Sequence, residues 1–321
     1  MFDVLGIGCV AIDDLLFVPR FPAPDEKVRV PRVERHFGGL TGTALVVAAW
    51  LGAKCAFGGL LGTMDPLSRA VEQNFLAEGI DVSPAVRRAD ARPIHAMIVV
   101  GEEGHTRNIF FHVGGLSGAP DEGVAEDLLR RTRVLFVDHQ GLAGAVRAIT
   151  AAAAAGVEVV ADVEHGDGPL TERFVAGVGH LVVPEEFALR MTGADNAEAA
   201  VSQLWSERRR AIVVTCGERG CWWAEARDGR AGPVAHQPAF PVEVVDTTGC
   251  GDVFHGAYAA ALAQGRPMEE RVRLASAAAA MKARQPGGQM GIPRRREVEE
   301  FLRQQGDLFN GDEGQSSRTF G

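Results

Sequence analysis

Short apolar runs alternate along the chain with longer stretches of helical character. The apolar runs have the length of buried β-strands and fall at residues 4–8, 55–59, 134–137, 157–160, 180–183 and 211–214. The helical stretches combine apolar periodicity with alanine-rich composition, at residues 38–50, 67–77, 142–155, 187–192, 197–207, 253–263 and 268–284. Apolar strands that alternate with helices predict an α/β fold, with a parallel sheet covered by helices on both faces.

Two regions depart from this alternation. Residues 15–18 and 33–35 are extended in pattern, and residues 94–100 and 106–112 form two strands that a Glu102-Glu103-Gly104 turn joins as a hairpin. Together they predict a small antiparallel sheet, contributed by about residues 13–37 and 92–115, that projects from the main domain as a lid. Its apolar face needs a cover, so we expect closure over substrate or a homodimer through the lid. The alternative is a sheet packed flat on its own core.

Composition bounds the class of protein. With 321 residues, 46% hydrophobic and 23% charged, the chain suits one large domain, which we place at residues 1–305, before a polar, glycine-rich and disordered tail at 306–321. A net charge of −9 argues against a nucleic-acid surface. We find neither a signal peptide nor an apolar run that could span a membrane, and the five cysteines include no Cys-x-x-Cys. A cytoplasmic location is therefore expected.

The most informative segment is Asp246-Thr247-Thr248-Gly249-Cys250-Gly251-Asp252, which runs directly into a predicted helix. A glycine turn at a helix N-terminus leaves backbone N–H groups free to bind an anion, where the helix dipole favours negative charge. The N–H groups of Gly249, Cys250 and Gly251 could therefore hold a phosphate. Asp252 could accept a proton from an attacking hydroxyl. The alternative is a plain helix cap, in which Asp252 caps and nothing binds.

Other motifs are weaker. Gly6-Ile7-Gly8-Cys9-Val10-Ala11 matches a dinucleotide fingerprint, but Pro19 and Pro22 disfavour the long helix that should follow. No Walker A or His-Glu-x-x-His motif is present in the sequence. His255 directly follows the glycine motif and could line a pocket or simply pack.

A sugar-binding end is also indicated. Asp13 or Asp14, which we place at the end of the first strand, could accept hydrogen bonds from two neighbouring hydroxyl groups. Gly38 and Gly39 begin the next predicted helix and would let a sugar ring approach the backbone. For either aspartate, the alternative is a local turn before Leu15.

These segments together resemble the ribokinase, or PfkB-type carbohydrate kinase, family over about residues 3–303. The family signature is Asp-Thr-x-Gly-Ala-Gly-Asp, and Cys250 stands here at the alanine. Asp13 has the family's spacing to Phe21-Pro22, and Gly38-Gly39 match its helix start, whereas the usual asparagine reads Thr43. The resemblance implies a three-layer α/β/α ribokinase-like fold with a small β-sheet lid. It also implies transfer of a phosphoryl group from ATP, with Mg²⁺, to a sugar hydroxyl, with Asp252 as the base.

The resemblance implies further roles. Near the nucleotide it places Gly217, Glu218, Arg219 and Gly220, and in the helix beside the adenine it places Ala279, Ala280 and Lys282. Arg107 matches a phosphate-facing arginine of ketohexokinases. Gly287-Gly288 match a loop that, in several relatives, binds a monovalent cation such as K⁺ together with Asp246 and Thr248.

The acceptor is less defined. The family's Asn-x-x-Glu reads Pro184-Glu185-Glu186-Phe187, a departure that ketohexokinase-like and sulfofructose-kinase-like sequences share. Residues 51–57 resemble the former and residues 286–293 the latter. Because Asp138-His139-Gln140 offers no arginine for a sulfonate, we expect a neutral ketose or related sugar, phosphorylated at a primary CH₂OH. A nucleoside kinase of the same fold and a non-catalytic sugar or nucleotide sensor remain alternatives.

Overall fold

The structure is a computed structural model that describes residues 1–104 and 106–312, with side chains described to residue 306. It contains fifteen strands in the described residues: β1 (Phe2–Ile7), β2 (Ala11–Val18), β3 (Arg32–Gly38), β4 (Cys55–Phe57), β5 (Leu60–Gly62), β6 (Val86–Arg88), β7 (Ile94–Gly101), β8 (Thr106–His112), β9 (Thr132–Asp138), β10 (Glu158–Asp162), β11 (His180–Pro184), β12 (Ala211–Thr215), β13 (Cys221–Arg227), β14 (Arg230–Ala231) and β15 (Ala235–Gln237). The α-helices are α1 (Leu40–Trp50), α2 (Pro66–Ala77), α3 (Glu126–Leu129), α4 (Leu142–Ala155), α5 (Gly168–Gly177), α6 (Glu185–Thr192), α7 (Ala197–Gln203), α8 (Cys250–Ala263), α9 (Met268–Lys282) and α10 (Arg295–Asp312).

The large sheet has the strand order β14-β13-β12-β11-β10-β9-β1-β4, with β15 paired to β13. From β4 to β12 every neighbouring pair is parallel. The strands β13, β14 and β15 add an antiparallel edge beyond β12. The central parallel sheet predicted from the apolar runs is therefore confirmed.

Helices cover the sheet on both faces and divide the interior into two cores. Phe136 packs on one side with α1, α2, α8, α9 and α10. Its neighbours Leu135 and Val137 pack on the other side with α3 to α7. Successive residues of a strand point to opposite faces, so strands covered on both sides must be apolar throughout. This explains why the sequence shows uninterrupted apolar runs. The sheet and the helices on its two faces form the three-layer arrangement.

Capping residues set where several helices begin. The carboxylate of Asp65 accepts a hydrogen bond of 2.7 Å from Ser68 N at the start of α2, and Pro66 supplies the fixed backbone angle of the first turn. Asn196 caps α7 in the same way, at 2.9 Å from Ala199 N. No helix in the described part of the chain is long and apolar enough to cross a bilayer.

The lid is a separate four-stranded sheet with the order β3-β2-β7-β8. The β7–β8 pair is the predicted hairpin and is antiparallel, as is β2–β3. The prediction of an entirely antiparallel sheet is wrong, because β2 and β7 run parallel. Two hairpin-like pairs that are far apart in sequence meet through their inner strands, and the sequence pattern does not reveal their relative direction.

The C-terminal helix extends beyond the boundary proposed from composition. Helix α10 continues to Asp312, whereas the composition predicts a disordered tail from Gly306. Residues 313–321 of that tail lie outside the described residues. Polar and glycine-rich composition alone therefore did not locate the end of the last helix.

Candidate active site

The candidate residues gather at the carboxyl ends of the parallel strands, the edge at which such sheets bind ligands. At this edge Asp138 of β9, Asp162 of β10 and Val182 of β11 lie side by side in register. Helix α8 begins above them, since its His255 reaches Val182 O at 2.9 Å. The glycine motif therefore stands over a row of strand ends.

The start of α8 is an open anion site. Gly249 precedes the helix with φ 76° and ψ 2°, and no side chain caps the first turn. Glycine is required there, because a Cβ would lie 2.7 Å from Gly288 O. Asp252 lies within the first turn instead of capping it. The helix-cap alternative therefore does not describe this turn. Cys250 N donates to Thr247 O at 3.1 Å, whereas no described residue accepts a hydrogen bond from Gly249 N or Gly251 N, so these two N–H groups remain for a ligand.

Asp252 lies close to several other carboxylates. Burial raises its pKa well above the ordinary value, and the neighbouring charges of Asp162, Glu164 and Asp138 raise the pKa further, while Lys282 acts in the opposite direction. A raised pKa makes a carboxylate a stronger base once it is ionised. The environment therefore favours a proton-accepting role for Asp252.

This environment predicts a pH dependence. Asp252 must be ionised to accept a proton, so kcat/KM should fall as pH falls through its raised pKa. Asp162→Asn removes a charge that raises this pKa, and the acidic limb of the profile should therefore move to lower pH. The measurement is kcat/KM against pH for both proteins.

Glu158→Gln provides a matched control, because Glu158 begins the same strand, β10, at its opposite end. The control should leave the acidic limb in place. A limb that stays fixed or moves upward in Asp162→Asn would contradict the proposed electrostatic environment.

His255 is a packing residue in the second turn of α8. Its side chain is only 2% exposed, so it does not line the open pocket that the sequence allowed. Its Nδ1 lies 2.7 Å from Gly251 O and its Nε2 lies 2.9 Å from Val182 O. Burial lowers its pKa. The imidazole thus joins the first turn of α8 to the sheet beneath it.

The lid distinguishes Asp13 from Asp14. Both lie within β2, not at the end of the first strand as expected, because β1 ends at Ile7 and the chain enters the lid at Ala11. Asp14 is engaged by Arg35, at 2.7 and 2.9 Å, and by His95, at 2.8 Å. Asp13 points to the opposite face.

Among the described residues Asp13 has no such partner, and it is half-buried beside the glycine loop. A Cβ on Gly38 would lie 3.4 Å from its Oδ2. Burial raises the pKa of Asp13, and the charges of Arg107 and His36 oppose this. Of the two aspartates, Asp13 is therefore the one available to a ligand.

The Gly38-Gly39 loop packs closely against the backbone that connects β1 to β2. Gly39 precedes α1 with φ 86°, and a Cβ there would lie 2.7 Å from Cys9 O. Thr41 Oγ1 donates to Asp138 at 2.7 Å, which fixes the start of α1 over β9. The Thr43 side chain is buried, and its Oγ1 accepts a hydrogen bond of 3.4 Å from Gln289.

A lid residue contacts the anion loop. Arg107 of β8 donates to Thr248 Oγ1 at 2.6 Å and lies 3.7 Å from the Asp246 carboxylate. Asp246 accepts hydrogen bonds from Thr248 and from Gly287 N. Burial acts to raise the pKa of Asp246, but these hydrogen bonds outweigh it and lower the pKa. The lid thus places a guanidinium at the mouth of the anion site.

The predicted nucleotide loop forms a tight turn after β12. Gly217–Arg219 make one turn of 3-10 helix, and Gly217 and Gly220 have φ values of 58° and 85°. A Cβ on Gly220 would lie 2.0 Å from Gln237 O, so glycine is required there. Arg219 pairs with Glu185. Ala280 lies half-buried on α9, the helix that packs beside α8.

Sequence reasoning missed the carboxylates beneath the site. The sequence prediction includes Asp138 only as part of the segment Asp138-His139-Gln140, and it does not include Asp162 or Glu164. Asp138 accepts from Cys9 N at 2.7 Å and from Thr41, whereas Asp162 is fully buried beside His255 at 3.3 Å. The available signal was that two predicted strands each run into an aspartate at the carboxyl end.

Comparisons with known proteins agree with this geometry. The chain matches the family model for pfkB family carbohydrate kinases over residues 1–295. It is 26% identical to the ribokinase of Haemophilus influenzae, over 92% of this chain and 97% of that protein. It is 23% identical to the ketohexokinase of Mus musculus, over 87% and 95% of the two chains.

Solved structures share the fold. The ribokinase of Thermotoga maritima has a TM-score of 0.79 at 24% identity, covering 94% of this chain and 100% of that one. The ribokinase-like fold with its separate small sheet is therefore confirmed. The chain is a phosphotransferase with an alcohol group as acceptor, and it belongs to the PfkB family of carbohydrate kinases.

Proposed function

We propose that this protein transfers the γ-phosphoryl group of ATP to a primary hydroxyl group of a neutral ketose or related sugar. One observation carries the proposal: among the described residues no side chain caps the first turn of α8, and Asp252 lies in that turn beside the unpaired N–H groups of Gly249 and Gly251. This combination offers an anion site and a base within one turn, which phosphoryl transfer to an alcohol needs.

Different residues would bind the sugar, accept the proton and stabilise the phosphoryl group. Asp13 and the Gly38-Gly39 loop would orient the sugar, because the carboxylate is free and the loop exposes backbone to the ligand. Asp252 would take the hydroxyl proton as the new P–O bond forms. Of the three N–H groups predicted to bind the phosphate, those of Gly249 and Gly251 would stabilise negative charge on the transferred group, since Cys250 N donates to Thr247 O. Such electrostatic stabilisation contributes about 3–4 kcal/mol for a single donor.

The lid would complete the site. Arg107 of the lid contacts Thr248 and lies near Asp246, so the lid in this position supplies a positive charge at the phosphate end. A closed lid also excludes water, which limits hydrolysis of ATP without transfer.

For the nucleotide we propose the loop Gly217, Glu218, Arg219 and Gly220, with Ala280 beside the adenine. The loop and α8 both lie at the carboxyl edge of the sheet, which supports this arrangement. Solved structures of similar fold include a ribokinase of Arabidopsis thaliana with ribose and ATP. A further one from E. coli contains ATP and Mg²⁺.

Magnesium fits this site when the phosphates provide its ligands. Among the described residues, no group of three or more His, Cys, Asp or Glu side chains could hold a metal ion. Mg²⁺ typically keeps several waters and binds substrate phosphates instead of an all-protein cage. When bound, it would neutralise charge on the triphosphate.

The strand end next to the Gly38-Gly39 loop supports a neutral acceptor. Asp138-His139-Gln140 supplies no arginine, and Arg107 is already directed to Thr248. A panel of fructose, ribose, 2-keto-3-deoxygluconate, sulfofructose and adenosine, assayed for ATP turnover, tests this. We expect the highest kcat/KM for a neutral ketose. Preference for adenosine would establish the nucleoside kinase alternative, and no turnover with any acceptor would favour a sensor.

We further propose a homodimer through the lid. Strand β8 is one of the lid's two edge strands, and three successive apolar residues on it are exposed: Ile109 at 52%, Phe110 at 53% and Phe111 at 72%. An unpaired strand edge with large apolar side chains is a ready pairing surface. We also propose a cytoplasmic location, which the five unpaired cysteines support.

The dimer proposal predicts the effect of Phe111→Asp. Sedimentation velocity should show a dimer for the wild-type protein and a monomer for the variant, because a charge on the strand edge opposes pairing. Leu170→Asp, which alters an exposed apolar residue on α5, a helix that packs on α4 in the main domain, serves as the control and should remain dimeric. A wild-type monomer throughout the assay range would rule out this interface.

A further inference from the structure

The ammonium group of Lys282 is buried beneath the anion loop. Its side chain is 0% exposed at the end of α9, and its Nζ donates to Asp246 O at 3.1 Å and to Gln285 O at 3.1 Å. Lysine is almost never fully buried unless its charge is compensated. Both acceptors here are backbone carbonyl oxygens, the kind of ligand that also replaces the hydration shell of K⁺.

The oxygens of Asp246 are already engaged by donors. Oδ1 accepts from Thr248 N at 2.9 Å and from Thr248 Oγ1 at 2.7 Å. Oδ2 accepts from Gly287 N at 2.8 Å, and the backbone oxygen accepts from Lys282. Gly287 therefore turns its N–H group, a donor, toward Asp246. A metal cation needs oxygen lone pairs, and this arrangement supplies hydrogen-bond donors in their place.

The residues present thus do not fit the monovalent cation that the family resemblance implies at Asp246 and Thr248. In addition to Arg107, at 3.7 Å from the Asp246 carboxylate, the site already contains a buried positive charge, that of Lys282, held by two carbonyl oxygens of the segments that a cation would join. That charge connects the end of α9 to Asp246, at the start of the loop that forms the anion site.

We propose that Lys282 is a built-in replacement for a monovalent cation, so that this enzyme works without K⁺. The ammonium holds Asp246 and Gln285 together, and Asp246 in turn orients Thr248 and Gly287 next to the anion site. Lys282 is a positioning residue in this account, because it acts through the loop and does not touch the sugar. The inference rests on the proposed kinase function only for its rate measurements.

The test compares K⁺ with choline as the only monovalent cation. For the wild-type protein we expect the same Tm and the same kcat in both. Lys282→Ala removes the charge and leaves space, so its Tm and kcat should be low in choline and should rise in K⁺. We expect K⁺ to raise its kcat by about 5- to 150-fold, the usual range for coupling between two sites.

Lys282→Met fills the same space without a charge, so its low Tm and kcat should not respond to K⁺. Lys54→Ala, an exposed lysine elsewhere, should behave as wild type in both salts. A higher wild-type Tm in K⁺ than in choline would overturn the proposal, as would a folded Lys282→Ala that ignores K⁺. If Lys282→Ala folds in neither salt, the wild-type comparison decides alone.

The Tm readout separates this proposal from the kinase function. A protein that shows no phosphoryl transfer would still reveal whether K⁺ stabilises the wild type or only Lys282→Ala. Conversely, a wild-type enzyme that is active but requires K⁺ would support the proposed function and contradict the proposal that Lys282 replaces the cation.

Discussion

Asp252→Asn is expected to lower kcat by about 10²- to 10⁴-fold, the contribution typical of a general base. Asparagine keeps the size of the side chain but cannot accept the hydroxyl proton. The free N–H groups of the first turn of α8 are backbone groups and remain in place. ATP should therefore still bind, so the loss should appear in kcat while the nucleotide affinity stays close to that of the wild type.

Steady-state kinetics and calorimetric titration with ATP measure the two quantities. Asp127→Asn is a matched control, because Asp127 also lies in the first turn of a helix, α3, but is exposed and far from the site. The control should keep the wild-type kcat. Turnover near that of the wild type in Asp252→Asn would exclude Asp252 as the base.

Asp13→Ala is expected to raise the KM for the sugar by about 10- to 150-fold. A hydrogen bond to a charged group contributes about 1.5–3 kcal/mol, and 1.4 kcal/mol corresponds to a factor of ten in affinity. Asp13 is half-buried beside Gly38 and has no side-chain partner of its own in the described structure. Its loss should therefore weaken sugar binding directly, with a smaller effect on the KM for ATP.

Asp14→Ala provides the control from the adjacent position. Asp14 is bound to Arg35 and His95 on the other face of the lid, so its removal should leave the sugar KM close to the wild-type value. The two variants together separate a ligand contact from lid stability. If the KM changed in Asp14→Ala and not in Asp13→Ala, the assignment of the sugar contact would be reversed.

The fold was largely predictable because its signals are local. Apolar strands buried on both faces and glycine-terminated helices are visible in the sequence, and β9 to β12 lie close to their predicted positions. The direction of β2 against β7 was not predictable, because it depends on how two distant segments meet. The lid is predicted from about residue 13, but the assignment of Asp13 or Asp14 to the end of the first strand is wrong, because β1 ends at Ile7 and β2 carries both. The chain leaves the main sheet after Ile7 without a clear change of pattern.

The candidate site was predictable where backbone geometry demands a particular residue. Gly39, Gly220 and Gly249 each occupy a place where a Cβ would collide with another part of the backbone. Residues whose part depends on three-dimensional neighbours were harder to identify. The role of Asp162 depends on its proximity to His255 and Asp252. The role of Lys282 depends on the backbone carbonyl oxygens that lie on either side of its ammonium group. The spacing of residues along the sequence does not predict such contacts.

The most direct test of the account is the structure of the product that forms from ATP and the preferred acceptor. We predict that ³¹P and ¹³C NMR will show a phosphate monoester coupled to a CH₂ carbon of the sugar, with one ADP formed for each sugar phosphorylated. ADP with free inorganic phosphate and an unmodified sugar would contradict the account, since it would mean hydrolysis without transfer.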